Sequence, residues 1–132
     1  MSNIAANPSS VSGIAPDNVV DAYVDAWNET DAQRRAALLE QAWTHDARYA
    51  DPLMAGEGLA QISALIGSVH ERFAGFRFER VGTPDGHGDH VRFSWALGPA
   101  GAKEAPIAGT DLVELKAGRI RRVVGFLDRV PG

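Results

Sequence analysis

Apolar positions along the chain follow two different periods. From Val20 to Trp27 they recur every three to four residues, with Val20, Tyr23, Val24 and Trp27 on one side and Asp21, Asp25 and Asn28 between them. This spacing predicts an amphipathic helix, opened by Pro16-Asp17 as its N-cap. A second helix is expected after Thr30-Asp31, with Leu38, Leu39, Ala42 and Trp43 inward and Arg34, Arg35 and Glu40 outward. Leu59, Ile62, Leu65, Ile66, Val69 and Phe73 keep the same period and predict a third helix, ended by Gly75. Beyond it the period becomes two. Phe76 and Phe78 alternate with Arg77 and Glu79, and Val91, Phe93, Trp95 and Leu97 alternate with Arg92, Ser94 and Ala96. Turn formers over 83–89 are expected to join these two strands. Further strands are expected over 107–115 and 119–127, joined by a short turn at 116–118. One earlier strand lies between the second and third helices, where Ala47, Tyr49 and Asp51 share a face and Pro52 keeps the residue before it extended. Helices that precede an antiparallel meander must cover one of its faces, so the expected class is α+β, with three helices folded onto a curved sheet.

Bulk properties narrow this picture. With 132 residues and 45% hydrophobic content, the chain makes one domain over 16–130, after a loose tail over 1–15. A formal charge of -4, with acids and bases interspersed, provides no basic field for nucleic acid or an anionic membrane, and no apolar run has the length of a membrane span. The absence of cysteine excludes disulfides and thiolate metal sites and fits a reducing cytoplasm, and the first ten residues lack the basic start and apolar centre of a signal peptide.

The candidate chemistry is carried by acids. Asp51 stands where a strand meets a turn, and it is either a reactive carboxylate on a rigid scaffold or the acid that opens the turn. Asp111 shares its strand face with Val113 and Leu115, an apolar setting in which a carboxyl tends to raise its pKa and stay neutral unless water or Arg92 reaches it. Tyr23 lies on the apolar stripe of the first helix, where a buried phenol needs a partner. Trp27, Trp43, Phe93 and Trp95 either line a cavity or pack as core. His87 and His90, with Asp85 and Asp89, fall in a Gly-rich turn with nothing to fix ligand angles, so no metal is expected; His45 and His70 are isolated. No phosphate loop, nucleophile elbow or Ser/His/Asp arrangement occurs.

The order of a Tyr23 helix, a second helix, a strand ending Tyr49-Ala50-Asp51-Pro52, a long helix, and strands carrying Gly109-Thr110-Asp111 and Gly118-Arg119-Ile120 resembles the SnoaL-like, nuclear transport factor 2-like superfamily. The resemblance implies a cystatin-like cone in which a strongly bent antiparallel sheet wraps a pocket whose mouth the helices close, and which dimerises through the open sheet face. Within that superfamily the chain is similar to the ketosteroid isomerases at Tyr23, Asp51 and Asp111. That similarity implies Asp51 as the base moving a proton beside a carbonyl, with Tyr23 and a protonated Asp111 stabilising the enolate oxygen. Matching from the turn at Gly118 puts Asp111 in the second-acid position, whereas matching from Ala105-Pro106-Ile107 puts Ala108 there. The chain also resembles polyketide cyclases of the SnoaL type, which use a single later-strand acid and would make Asp111 the main player. Either resemblance implies a cofactor-free site for an apolar cyclic ligand with a ketone or enol. Its expected contacts are Trp27, Tyr49, Met54, Ile66, Phe73, Phe93 and Trp95. The alternative is a ligand-binding or dimerisation domain without catalysis, in which the same acids shape turns and rims.

Overall fold

The structure, a computed structural model, describes residues 15–131; the tail expected over 1–15 lies outside it except for Ala15. Three helices, α1 (Pro16–Asn28), α2 (Ala32–Ala42) and α3 (Leu59–Arg72), accompany six strands: β1 (Trp43–Ala50), β2 (Ala55–Glu57), β3 (Phe76–His87), β4 (His90–Pro99), β5 (Ile107–Lys116) and β6 (Arg119–Arg129). The strands form one curved sheet in the order β2-β1-β6-β5-β4-β3, unclosed at its ends, and with the three helices the whole is an α+β cone. No helix among the described residues is long and apolar enough to cross a membrane.

The meander β3-β4-β5-β6 is antiparallel, as the alternation predicts, but β1 pairs with β6 in parallel and makes the sheet mixed. That pairing joins segments some seventy residues apart, and alternation within either strand carries no information about it. The segment over 83–89 also departs from expectation. β3 runs on through it to His87, leaving only Gly88-Asp89 as the turn, with a register shift between Val81 and Asp85. The shift accommodates Gly82-Thr83-Pro84, and β3 is the sheet's edge, where a proline costs no ladder hydrogen bond. At the other hairpin Ala117 and Gly118 both take positive φ, 51° and 81°, as a two-residue type I′ turn demands.

The helices start and end for local reasons. Pro16, rather than a capping side chain, opens α1: it occupies the first turn, where its missing N–H is not needed, and Asp17 complements the dipole. Asp31 caps α2 through the Arg34 N–H. Asn28, at the end of α1, exchanges two hydrogen bonds with the Phe78 backbone, at 2.9 and 2.8 Å, and so ties that helix to β3. Arg119 reaches the Glu40 carbonyl at 2.6 Å and ties α2 to β6. Between helices and sheet lies one core, which includes Val20, Leu39, Trp43, Ile62, Ile66, Ile120 and Val123.

Candidate active site

Asp111 faces inward from the middle of β5, on the side of Val113 and Leu115, and is only 2% exposed. Two glycines make room for it. Gly125 is its partner on β6, where a Cβ would stand 2.9 Å from Asp111 Oδ1, and the bare backbone there lets Asp51 and Tyr49 close in on the same spot. Gly109 pairs with Trp95, whose indole lies flat over it: a Cβ at Gly109 would fall 2.3 Å from the Trp95 ring. Lying there, the indole Nε1–H donates to Asp111 Oδ1 at 3.0 Å. The Tyr23 hydroxyl donates to Asp111 Oδ2 at 2.5 Å, a short contact of the kind expected between a phenol and a carboxylate. Tyr23 is held for this by stacking on Trp43, with ring centroids 5.7 Å apart, and by an edge contact with Phe93.

These contacts pull the Asp111 carboxyl in two directions. Burial disfavours its charge and dominates, the donors Tyr23 and Trp95 favour the charge, and Asp51 adds repulsion; the outcome is a pKa pushed up to about 6. Burial, followed by the nearby charge of Asp111, holds the Tyr23 phenol well above its usual range. The Tyr49 phenol is raised for the same two reasons.

Asp51 is held differently. It starts the turn between β1 and β2, donating its N–H to the Met54 carbonyl at 2.9 Å, while its Oδ1 accepts the N–H groups of Leu53 and Met54 at 2.8 and 2.9 Å. Its Oδ2 accepts the Tyr49 hydroxyl at 2.7 Å. The carboxylate thus satisfies the backbone of its own turn, the usual task of an aspartate before a bend.

Both acids border a cavity of about 710 Å³. Tyr23, Asp111 and Tyr49 form its buried end, Leu53 and Val130 its exposed rim. Of the residues the sequence singled out, Tyr23, Trp27, Tyr49, Asp51, Met54, Phe73, Phe93, Trp95 and Asp111 all line this space. Ile66 does not: it is fully buried in the core behind the wall. Trp43 is likewise sealed behind Tyr23. Of the two positions considered for the second acid, Asp111 lines this cavity and Ala108 does not. Arg92 pairs with Asp85 rather than reaching Asp111. Sequence reasoning did not single out Phe78, Leu97, Ile107, Leu127 and Val130 as lining the cavity. Phe78 and Leu97 lie on recognised apolar alternations, but alternation alone does not separate wall from core. His87 and His90 face each other across the end of the β3-β4 hairpin, ring centroids 6.0 Å apart and remote from the cavity lining.

The tyrosine and the acid it bonds to both lie within a stretch of chain that matches a known family. The model of the SnoaL-like domain matches residues 20–123, and the chain belongs to that family. Its fold is also that of a protein from Agrobacterium tumefaciens named provisionally as an isomerase of the SnoaL-like family, 48% identical with a TM-score of 0.80, covering 84% of this chain and 95% of that one. A protein from Sinorhizobium meliloti, named provisionally as a polyketide cyclase, is 18% identical with a TM-score of 0.65 over 82% of this chain and 93% of its own. A de novo designed protein with a curved β-sheet is as close in shape, 19% identical with a TM-score of 0.65 over 86% of this chain and 84% of that one. Fold likeness by itself assigns no chemistry, which has to be argued from the site. No curated protein matches the chain.

Proposed function

We propose that the protein is a cofactor-independent enzyme that moves a proton next to a carbonyl of an apolar cyclic ligand, with Asp111 as the proton acceptor and donor. The observation that carries this reading is the Asp111 carboxyl itself: buried at the closed end of an apolar cavity and approached by two side-chain N–H and O–H donors. Burial raises its basicity while the donors keep the anion accessible, which leaves a pKa of about 6, close to the working range in which one group can take a proton and return it. Because Tyr23 and Trp95 both donate to Asp111, they position it and set its charge, and Asp111 is an acceptor rather than a neutral acid that donates to an enolate. Asp51, with its Oδ1 bound to its own turn, borders the ligand space and repels the Asp111 charge rather than acting as the base. This follows the single-acid cyclase resemblance more closely than the isomerase one. Trp27, Tyr49, Met54, Phe73, Phe93 and Trp95 would hold the apolar body of the ligand.

The test is deuterium uptake from heavy water into a panel of cyclic ketones and polyketide-like enols, read by mass spectrometry. Exchange that depends on the protein, disappears in Asp111→Asn and survives in Asp51→Asn supports the assignment. Survival in Asp111→Asn with loss in Asp51→Asn would transfer the base to Asp51, and no exchange across the panel would favour a binding domain without catalysis.

The protein acts as a homodimer in this reading. On the outer face of the sheet Leu112 and Phe126 are about half exposed, on neighbouring strands where Leu112 pairs with Val124 and Thr110 with Phe126. A second copy is the natural cover for such a patch. Sedimentation of the wild type as a dimer and of Leu112→Asp as a monomer would support it; a monomeric wild type would not.

A further inference from the structure

Arg35 is a buried charge that the cavity does not use. It projects from α2 and is 6% exposed, yet no carboxylate among the described residues lies within ion-pairing distance of it. Its known partners are neutral: Nε donates to Ser63 Oγ on α3 at 2.9 Å, and Nη1 donates to the Glu29 carbonyl just past α1 at 2.8 Å. That carbonyl, at the negative end of a helix, compensates part of the charge. Burying an ionised group without a counterion is otherwise costly, by several kcal/mol in general.

The remaining nitrogen, Nη2, donates to nothing among the described residues and is not sealed from solvent. It lies against Gly67, where a Cβ would come within 3.1 Å of it. Arg35 and Gly67 both line a second cleft, of about 590 Å³, between the end of α1, α2, the later part of α3 and the start of β3. Arg77 lines the same cleft, exposed and without an ion pair among the described residues, together with Thr30, His70 and Glu71. His70 Nε2 faces the Trp27 carbonyl at 2.7 Å and therefore carries the proton there. Two guanidinium groups against one carboxylate leave the cleft with a net positive charge, and a guanidinium fork fits an oxyanion.

We propose that this cleft is a binding site for a small oxyanion, a phosphate or carboxylate group, held by Arg35 Nη2 and Arg77. Glu71 opposes it. Inorganic phosphate and acetate are the probes, titrated at constant ionic strength into the ¹⁵N-labelled protein, with the Arg35 Nε–H resonance as the readout. Saturable displacement of that resonance by phosphate, by acetate, or by both, beyond the effect of chloride, is expected, and the tighter anion identifies the group. Arg77→Gln, which removes an exposed side chain and leaves the core intact, should weaken binding about fivefold, the upper end for an exposed charge contact. Glu71→Gln should tighten it by a similar factor. Two results would overturn the proposal: no saturable displacement by either anion, or a Glu71→Gln protein that loses thermal stability without gaining affinity, which would make Glu71 the distant counterion of Arg35.

Discussion

The two carboxylates on the main cavity differ in what holds them. Asp51 is bound by backbone N–H groups of its own turn, and only Tyr49 reaches it from a side chain. Asp111 receives no backbone donor among its hydrogen bonds; both of its partners are side chains, brought from α1 and β4. Local backbone donors come with the turn and make a carboxylate part of the chain's architecture. Side chains drawn from distant elements must be positioned by the whole fold, and what they tune is the carboxyl's affinity for a proton. The identity of an acid on a pocket wall therefore says less about its task than the origin of its donors.

The largest effect should come from removing the tuned acid. Asp111→Asn keeps one acceptor oxygen, for the Trp95 indole, and sets its NH2 against the Tyr23 hydroxyl, which can turn to accept. It cannot take a proton, so exchange into a responsive ketone should fall by about 10³, within the usual range for a general base, while circular dichroism stays unchanged. An Asn variant that still exchanges at the wild-type rate would break the distinction between the two acids.

Stability against pH comes next. The folded Asp111 carboxyl, at about 6, holds its proton more tightly than the ordinary value of 3.8, so protonation favours the fold. Its contribution, roughly 3 kcal/mol, is complete below about pH 4 and is lost as pH rises from there through about 6. Urea midpoints measured across that window in wild type and in Asp111→Asn should diverge with rising pH; parallel curves would mean the carboxyl is not raised. A smaller effect is expected at Gly109, where the added methyl of Gly109→Ala collides with the Trp95 ring and with the Phe126 carbonyl at 2.5 Å. Overpacking of this kind costs about 2 kcal/mol, seen as a lower thermal midpoint, and it should also withdraw the indole from Asp111. The smallest change belongs to Asp51→Asn, whose amide oxygen can still accept from Leu53 and Met54, and its stability should stay within about 1 kcal/mol of wild type.

Much of this was legible in the chain, for physical reasons that also mark where legibility stops. Helical spacing at Leu59 to Phe73 and alternation at Val91 to Leu97 and around Asp111 are local patterns, and the structure follows them. That Asp111 shares a face with Val113 and Leu115 was readable from the pleat alone. Its partners were not: the Trp95 indole reaches it only because Gly109 lies beneath the ring, and Tyr23 meets it across 88 residues of chain. The parallel β1-β6 pairing was hidden for the same reason, and Ile66, inward on its helix, turned out to face the core rather than the cavity. Inwardness is a property of the element, whereas the boundary between core and cavity depends on how several elements meet.

The most direct measurement is a carbon NMR titration of the Asp111 carboxyl in the wild type and in Tyr23→Phe. A wild-type midpoint near 6 that moves upward when the phenol is removed is the predicted result, since Tyr23 donates to the anion and its loss leaves burial less opposed. A midpoint near the ordinary aspartate value, or one indifferent to Tyr23, would contradict the assignment of Asp111 as the tuned proton acceptor.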